Sequence, residues 1–403
     1  QRAVATLLQR LMTRLLGLLV AGLLVLTPAV AGAASDDAPS SGRRTASVTV
    51  TGNGFGHGHG LSQWGAKLAA DQGLSYRQIL SFYYPRLKNG TIGGTVAVLL
   101  TADTSSDVQV RDRSGLSVKS LGSGRSYALD TVQAQWWRIT PADRGASSAI
   151  SYRAKGSKSW RNVRTVPGEA QFRAGGKPLT LRTPSGDRAY RGILRSARPA
   201  GSRQRDTVNI VSLEDYLRGV VPREVPALWP QQAVRAQAVA ARTYAAFERA
   251  AAPTARHYQV CDTTQCQVYG GATDEHPASD QAIRATRKQG LLSNGEPAFT
   301  QFSASNGGYT ARGAFAYLPA QKDPYDSAYR GWSATISEAA VRAALPAVGT
   351  LQDVEVLARD GNGAFGGRVT SIRVVGSNGS STLTGDQFRS FFGLMSTMFT
   401  VKK

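Results

Sequence analysis

Apolar and polar residues alternate with a period of two in Thr45-Ala46-Ser47-Val48-Thr49-Val50, which predicts a strand running into the glycine-dense stretch Gly52 to Gly60. From Ser62 the spacing changes to that of a helix carrying Trp64, Leu68 and Ala69 on one face. A second short helix is predicted over Ser75 to Tyr83, stopped by Tyr84-Pro85. Between Thr95 and Arg205 short β-like runs such as Val96-Ala97-Val98-Leu99-Leu100 are separated by Gly, Ser, Pro and Asp. Trp136, Trp137 and Trp160 fall in this region and are assigned to packing. At Asp206 the character changes again. A strand, Thr207 to Val211, meets the cap-like Ser212-Leu213-Glu214-Asp215, and alanine-rich sequence then predicts a long helix entered at Pro230 and running through Ala250. The remainder reads as mixed, with strands near Ala298–Phe302, Val354–Ala358 and Val369–Val375, and helices near Ser337–Ala344 and Gly385–Phe392. These patterns predict an α+β fold: a mixed, β-rich core with a long helix beside a substrate groove, plus a β-rich accessory region.

The first residues are organised differently. Arg2, Arg10 and Arg14 appear without any acid, an apolar run follows from Leu15 to Leu26, and Ala31-Gly32-Ala33 offers a small-residue cleavage site. The run is shorter than the ~20 residues of a membrane-spanning helix. The expectation is export by an N-terminal signal peptide, to a secreted or cell-wall-associated location, with an uncleaved membrane anchor as the alternative. The chain then divides into a signal and leader start (1–34), a flexible leader (35–44), a Gly-His-Gly segment packing on the core (45–94), the β-rich region (95–205) and a core (206–403).

A formal charge of +21 and a pI near 10.4 imply an anionic partner. Anionic wall polymers fit an exported protein. Nucleic acid is not expected, because the chain has no zinc-finger pattern, aromatic RNA-binding signature or basic helix typical of duplex readers. Two cysteines in 403 residues exclude a disulfide-dense scaffold.

Candidate chemistry centres on Pro222-Arg223-Glu224-Val225-Pro226, read as a rigid non-helical turn before the long helix. The apolar Val225-Pro226-Ala227-Leu228-Trp229 run would desolvate Glu224 and raise its pKa toward that of a general acid. The competing reading is a surface Glu near a helix N-terminus. Arg235, Arg242 and Arg249 recur every seven residues, and Arg242 lies among small residues that let a substrate carboxylate or sugar approach. Ser303 and Ser305 lack a nucleophile elbow, so groove lining is expected of them; Asn306-Gly307 is a turn signal whose backbone could bind N-acetyl groups. His257, Cys261 and Cys266 offer three ligands suited to zinc, while an oxidising location would favour a disulfide between the two cysteines.

Two stretches, Val211-Ser212-Leu213-Glu214-Asp215-Tyr216-Leu217-Arg218-Gly219-Val220-Val221-Pro222-Arg223-Glu224 and Ala236-Gln237-Ala238-Val239-Ala240-Ala241-Arg242-Thr243-Tyr244-Ala245, closely resemble the SpoIID/LytB family of bacterial envelope proteins. The resemblance continues through Gln267-Val268-Tyr269, Ser303-Ala304-Ser305-Asn306-Gly307 and Gly385-Asp386-Gln387-Phe388-Arg389. It implies a lytic transglycosylase acting on peptidoglycan glycan strands, with Glu224 as the catalytic acid and later base, and a groove lined by Arg242, Tyr244, Gln267, Tyr269, Ser303, Ser305, Asn306 and Gly307. It also implies a structural zinc site at His257, Cys261 and Cys266. Gly56-His57-Gly58-His59-Gly60-Leu61-Ser62-Gln63-Trp64-Gly65-Ala66 is a second match, but it precedes the Glu-bearing region where sporulation members place it after, as in a circular permutation. His57 and Gln63 are therefore expected to face Glu224 across one groove, and His57, His59 and Gln63 to contact substrate. The LytB side of the family implies a different function, a non-enzymatic wall-binding enhancer of a partner amidase. A plain wall-adhesion module driven by charge is a third possibility.

Overall fold

The computed structural model describes residues 47–130 and 133–402. The predicted signal peptide and leader lie outside the described residues. Among the described residues no helix is long and apolar enough to cross a membrane.

Ser47–Gly52 forms the predicted strand and is held on both sides by distant parts of the chain: Trp332–Ser337 and Phe399–Lys402 pair with it antiparallel. The glycine-dense loop that follows has positive φ at Gly54, Gly56, Gly58 and Gly60. Two of these show why only glycine serves. A Cβ at Gly58 would overlap the Arg368 guanidinium, and one at Gly60 would overlap the Gln301 carbonyl. The loop ends in Leu61–Ser62, which pairs in parallel with Phe302–Ser303. Ser62 then caps helix α1 (Gln63–Asp71) by accepting the Gly65 N–H. Helix α2 (Tyr76–Tyr83) opens with a capping box between Ser75 and Gln78.

The β-rich region builds a six-stranded and most of a seven-stranded sheet. Strand Asp206–Ser212 lies inside the seven-stranded sheet, antiparallel to both Ile193–Ala197 and Thr95–Leu99. The buried cluster formed by Val98, Val110, Val118, Trp137, Phe172 and Leu194 continues without a break into Tyr216 and Val220 of helix α3 (Leu213–Glu224) and Val234, Ala238 and Ala241 of helix α4 (Gln231–Ala251). Sheets and helices are thus one core across residue 205, and burying this much apolar surface is the main term holding α3 and α4 in place.

Helix α4, entered at Pro230, is the hub. It contacts α1, α2, α3 and helix α5 (Pro277–Ala285). Its alanines let these neighbours approach closely: Ala233, Ala236, Val239 and Ala240 face Leu61, Ile79, Leu80 and Tyr83 in a second cluster. A third cluster unites Val50, Ile336, Val354, Ile372, Val374 and Phe399 with Val341 of helix α6 (Glu338–Ala344) and Phe388 of helix α7 (Gly385–Phe391). The architecture is the α+β mixture expected. One strand is not as predicted: around 298–302 only Glu296–Pro297 and Phe302–Ser303 are extended, because the backbone between them curls through bonds from Thr300 N–H to the Ala298 carbonyl and from Gln301 N–H to the Phe299 carbonyl.

Candidate active site

Glu224 is the last residue of α3, not part of a non-helical turn. Pro222 sits in the final helical turn, where its missing N–H costs one bond of the ladder, and the helix still closes with Val225 N–H on the Val221 carbonyl. Ser212 caps the other end by accepting the Asp215 N–H. This places Glu224 at the negative end of the helix macrodipole, which works against its charged form.

Gly219, one turn back, is the point where α3 meets the segment carrying Gln267 and Tyr269. A Cβ there would clash with Tyr269 and the Gly271 backbone, and the Gly219 carbonyl accepts the Gly270 N–H at 3.0 Å. The side chains of Gln267 and Tyr269 turn inward and are buried. Gln267 accepts from the Tyr216 hydroxyl at 3.1 Å and donates to the Ala241 carbonyl at 3.3 Å, while the Tyr269 hydroxyl donates to Asn209 at 2.8 Å. They anchor the segment and do not reach the groove. What the segment gives the site is the Val268 N–H, which donates to Glu224 Oε1 at 3.1 Å.

Across from it, Gln63 at the start of α1 donates from Nε2 to Glu224 Oε2 at 3.4 Å. The structure thus brings the Gly-His-Gly segment to the Glu-bearing helix through Gln63. Burial raises the Glu224 pKa, with Val268, Gln63 and Arg223 opposing it. Tyr244 lies in the same neighbourhood: burial raises its pKa, and the charges of Glu248 and Glu224 raise it further. Glu248, one helical turn along α4 and hydrogen-bonded to Tyr244, has its own pKa raised by burial. Its role beside Tyr244 had no signature in the sequence.

Four aromatic rings form a row whose two tryptophans are close in sequence to Gln63 and Glu224. Phe55 meets Tyr329 edge-on at 5.3 Å, Tyr329 meets Trp64 at 6.1 Å, and Trp64 meets Trp229 at 5.0 Å. Gln63 and Glu224 are one and five residues from the two tryptophans. Phe55 and Tyr329 are exposed, and Leu228 at the tip of the adjoining loop is 82% exposed. Sequence alone suggested a helix face for Trp64 and a desolvating run for Trp229, because no local pattern reveals rings aligned from four separate segments.

The structure does not bring Arg242 to the groove. Its guanidinium is fully buried and held in a fork by Glu214, with Nε–Oε1 and Nη2–Oε2 both at 2.9 Å, and Nη1 donates to the Gln289 carbonyl at 3.1 Å. The small neighbours that suggested access to substrate instead give room for this internal pair. Ser305 and Asn306 are likewise buried. Asp326 accepts from the Ser62 hydroxyl at 2.7 Å, the Ser305 hydroxyl at 2.8 Å and the Asn306 N–H at 2.6 Å. Asp323 accepts from the Tyr83 hydroxyl and the Asn306 side-chain amide, each at 2.7 Å. This network, which had no signature in the sequence, locks the 302–308 segment to α1 and α2. Ser303 accepts the Gly58 N–H at 3.2 Å, and Gly307, at φ 74°, packs against Asn53 and Gly54.

His57 and His59 stack with ring centres 5.1 Å apart, and no hydrogen bond or ion pair joins either ring to Glu224. Burial, then His59, Arg368 and Arg389, push the His57 pKa down to about 3, and His59 is lowered mainly by burial, so both sites favour the neutral ring. Cys261 and Cys266 are joined as a disulfide, and His257 Nε2 lies 2.7 Å from Asp206 Oδ2. Sulfurs bonded to each other present no thiolate, so as placed this trio does not fit a zinc ion. Among the described residues no group of three or more His, Cys, Asp or Glu side chains converges as a metal site.

The strand 206–212, α3 with Glu224, α4 and the Gln267–Tyr269 segment all fall within residues 202–292, and this stretch matches the SpoIID family model, described as Stage II sporulation protein. The site therefore lies in the stretch that matches this family model. The chain is 40% identical over 103 residues to an uncharacterized protein of Brachyspira hyodysenteriae, covering 26% of this chain and 28% of that one. It is 38% identical over 128 residues to the amidase enhancer of Bacillus subtilis, covering 30% and 17% respectively. A third relative, stage II sporulation protein D of Bacillus subtilis, is 28% identical over 149 residues, covering 32% and 43%. The chain thus spans less than half the length of each of these three relatives.

Proposed function

We propose that this protein acts on the bacterial cell wall as a lytic transglycosylase, cleaving peptidoglycan glycan strands between muramic acid and glucosamine units with Glu224 as general acid and then base. The observation that carries the reading is the environment of Glu224. Burial and the helix end favour the protonated carboxyl and raise its pKa above the ordinary value, while the Val268 N–H and Gln63 amide stand ready for the carboxylate left after proton transfer. The proton goes to the glycosidic oxygen as the C1–O bond breaks. The carboxylate then takes the proton of the muramic C6 hydroxyl as its oxygen closes on C1, leaving an anhydro-muramic end and consuming no water. One carboxyl performs both steps. The row Phe55, Tyr329, Trp64 and Trp229 offers apolar ring faces and edges on which sugar rings stack. On this reading the N-terminal position of the Gly-His-Gly block is a permuted order, with Gln63 delivered to Glu224 by folding.

The amidase enhancer among the relatives supports a second reading, in which the same groove binds wall glycan for a partner amidase without cutting it. Export by residues 1–34 and attraction of the basic surface to anionic wall polymers belong to both readings. Incubation of the protein with purified glycan strands, with and without stem peptides, followed by mass spectrometry for anhydro-muramic ends, separates the two. Products absent in Glu224→Gln support cleavage; no products from either protein, with strand binding retained, support the enhancer.

A further inference from the structure

The motif Gly56-His57-Gly58-His59-Gly60 folds around something other than Glu224. A cavity of about 450 Å³ is lined by His57, His59, Arg312, Arg368, Asp386 and Thr397, among others. At its wall is Arg368, 5% exposed, whose guanidinium occupies the space that a side chain at residue 58 would need. That guanidinium donates from Nη2 to the Asn306 carbonyl at 2.8 Å and from Nη1 to Thr397 Oγ1 at 3.4 Å, and its Nε has no partner. Among the described residues no carboxylate lies within 4.0 Å of it, whereas buried Arg242 has Glu214; Arg205, also buried without a carboxylate, is instead held by the Ser196, Gly145 and Ser147 carbonyls. Asp360 and Asp386 line the cavity at longer range, and Asp360 Oδ1 already accepts the backbone N–H groups of Asn362 and Arg368. A buried cation without a counter-ion is costly unless an anion joins it.

The histidines complete a pattern. His57 Nδ1 accepts the His59 N–H at 3.0 Å. His59 Nδ1 faces the Ala311 carbonyl at 3.3 Å and must donate to it, so its Nε2 is a bare acceptor, without a partner among the described residues. The cavity therefore pairs guanidinium donors with one imidazole acceptor. We infer that it binds a carboxylate carrying a neighbouring N–H. In the cell wall that chemistry has two sources: the lactyl carboxylate of muramic acid beside its acetamido N–H, and a free carboxylate of a stem peptide beside an amide N–H. Placing the ligand in the wall rests on the reading of the previous subsection; the carboxylate site itself does not. His57 and Gln63 are six residues apart, so their backbones lie within roughly 21 Å, and Gln63 hydrogen-bonds Glu224; the cavity and Glu224 are close enough to engage one strand.

The test is calorimetry on the full chain as Glu224→Gln, so that nothing is turned over. N-acetylmuramic acid is expected to bind, with its carboxyl methyl ester and N-acetylglucosamine weaker by about ten-fold or more. Arg368→Gln is expected to lose a similar factor; because Arg368 is buried, the ester comparison on unaltered Arg368 stands without that variant. Muramoyl dipeptide, whose lactyl carboxyl is an amide and whose carboxylate lies on the peptide, distinguishes the sources: tighter binding than N-acetylmuramic acid assigns the site to the stem peptide, weaker binding to the bare glycan. Equal binding of acid and ester overturns the proposal. So does the absence of binding by any of these probes, and if the wild type still cleaves glycan strands in that case, the Glu224 reading survives.

Discussion

Replacing Glu214 with Gln removes the carboxylate that neutralises Arg242 and tests whether that arginine acts through the fold or through substrate. The Arg242 side chain is fully buried and that of Glu214 is 24% exposed. Removing one partner of a buried pair strands the other charge, a loss of about 3–5 kcal/mol. The partial exposure of Glu214 argues for the lower end, roughly 3 kcal/mol. Glu214 Oε1 also accepts the Lys288 N–H at 3.0 Å, so the junction of α3, α4 and the 288–289 segment loosens at one point. At about 2.1 cal/mol/K of unfolding entropy per residue, the roughly 350 described residues unfold with about 0.75 kcal/mol/K, so a loss of roughly 3 kcal/mol should lower the midpoint of thermal unfolding by about 4 °C. Circular dichroism melts of wild type, Glu214→Gln and the double variant Glu214→Leu with Arg242→Met measure this, and the double variant should recover most of the loss because no buried charge remains. A fall of less than about 1 kcal/mol in Glu214→Gln, or wild-type melting of Arg242→Met with binding of glycan strands abolished, would refute the structural role and return Arg242 to the substrate.

Three further outcomes follow from the same geometry. Because burial raises the folded-state pKa of Glu224 above its ordinary 4.5, its ionisation lowers stability as pH climbs through the window above that value. Glu224→Gln should therefore be more stable than wild type at pH 7 in urea unfolding, with the gap closing below about pH 4.5; equal stability at both pH values contradicts the desolvated carboxyl. Alkylation of the unreduced protein should find no free thiol and metal analysis no zinc, whereas two free thiols with stoichiometric zinc would replace the Cys261–Cys266 disulfide by the metal site. Trp64→Ala should weaken glycan-strand binding by several-fold, as expected for losing roughly 0.5–1.5 kcal/mol of ring contact, without changing the melting temperature much; unchanged affinity removes the aromatic row from the groove.

Elements whose signals are local were legible in the sequence. Ser62, Ser75 and Ser212 announce helix starts by their own hydroxyls, and Pro230 marks the entry to α4. The end of α3 was not legible, because Pro222 reads as a breaker although a proline in the last turn costs only one bond. The alternation of Val369 to Val375 was a sound strand signal, while Ala298 to Phe302 carried similar residues and curls instead. At the site, Glu224 and Gln63 could be picked from their motifs. The direction of a side chain could not. Arg242, Gln267, Tyr269, Ser305 and Asn306 bear the same chemistry whether they face a groove or a buried partner, and their partners Glu214, Tyr216, Asn209, Asp326 and Asp323 are 17 to 60 residues away. Arg368, which explains Gly58, is more than three hundred residues from it.

The most direct test of the account is the product analysis of purified glycan strands treated with wild type and Glu224→Gln. Anhydro-muramic ends are expected from the wild type and none from Glu224→Gln, while the variant still folds and binds strands. The same anhydro-muramic products from both proteins, or reducing muramic ends in place of anhydro ones, would contradict it.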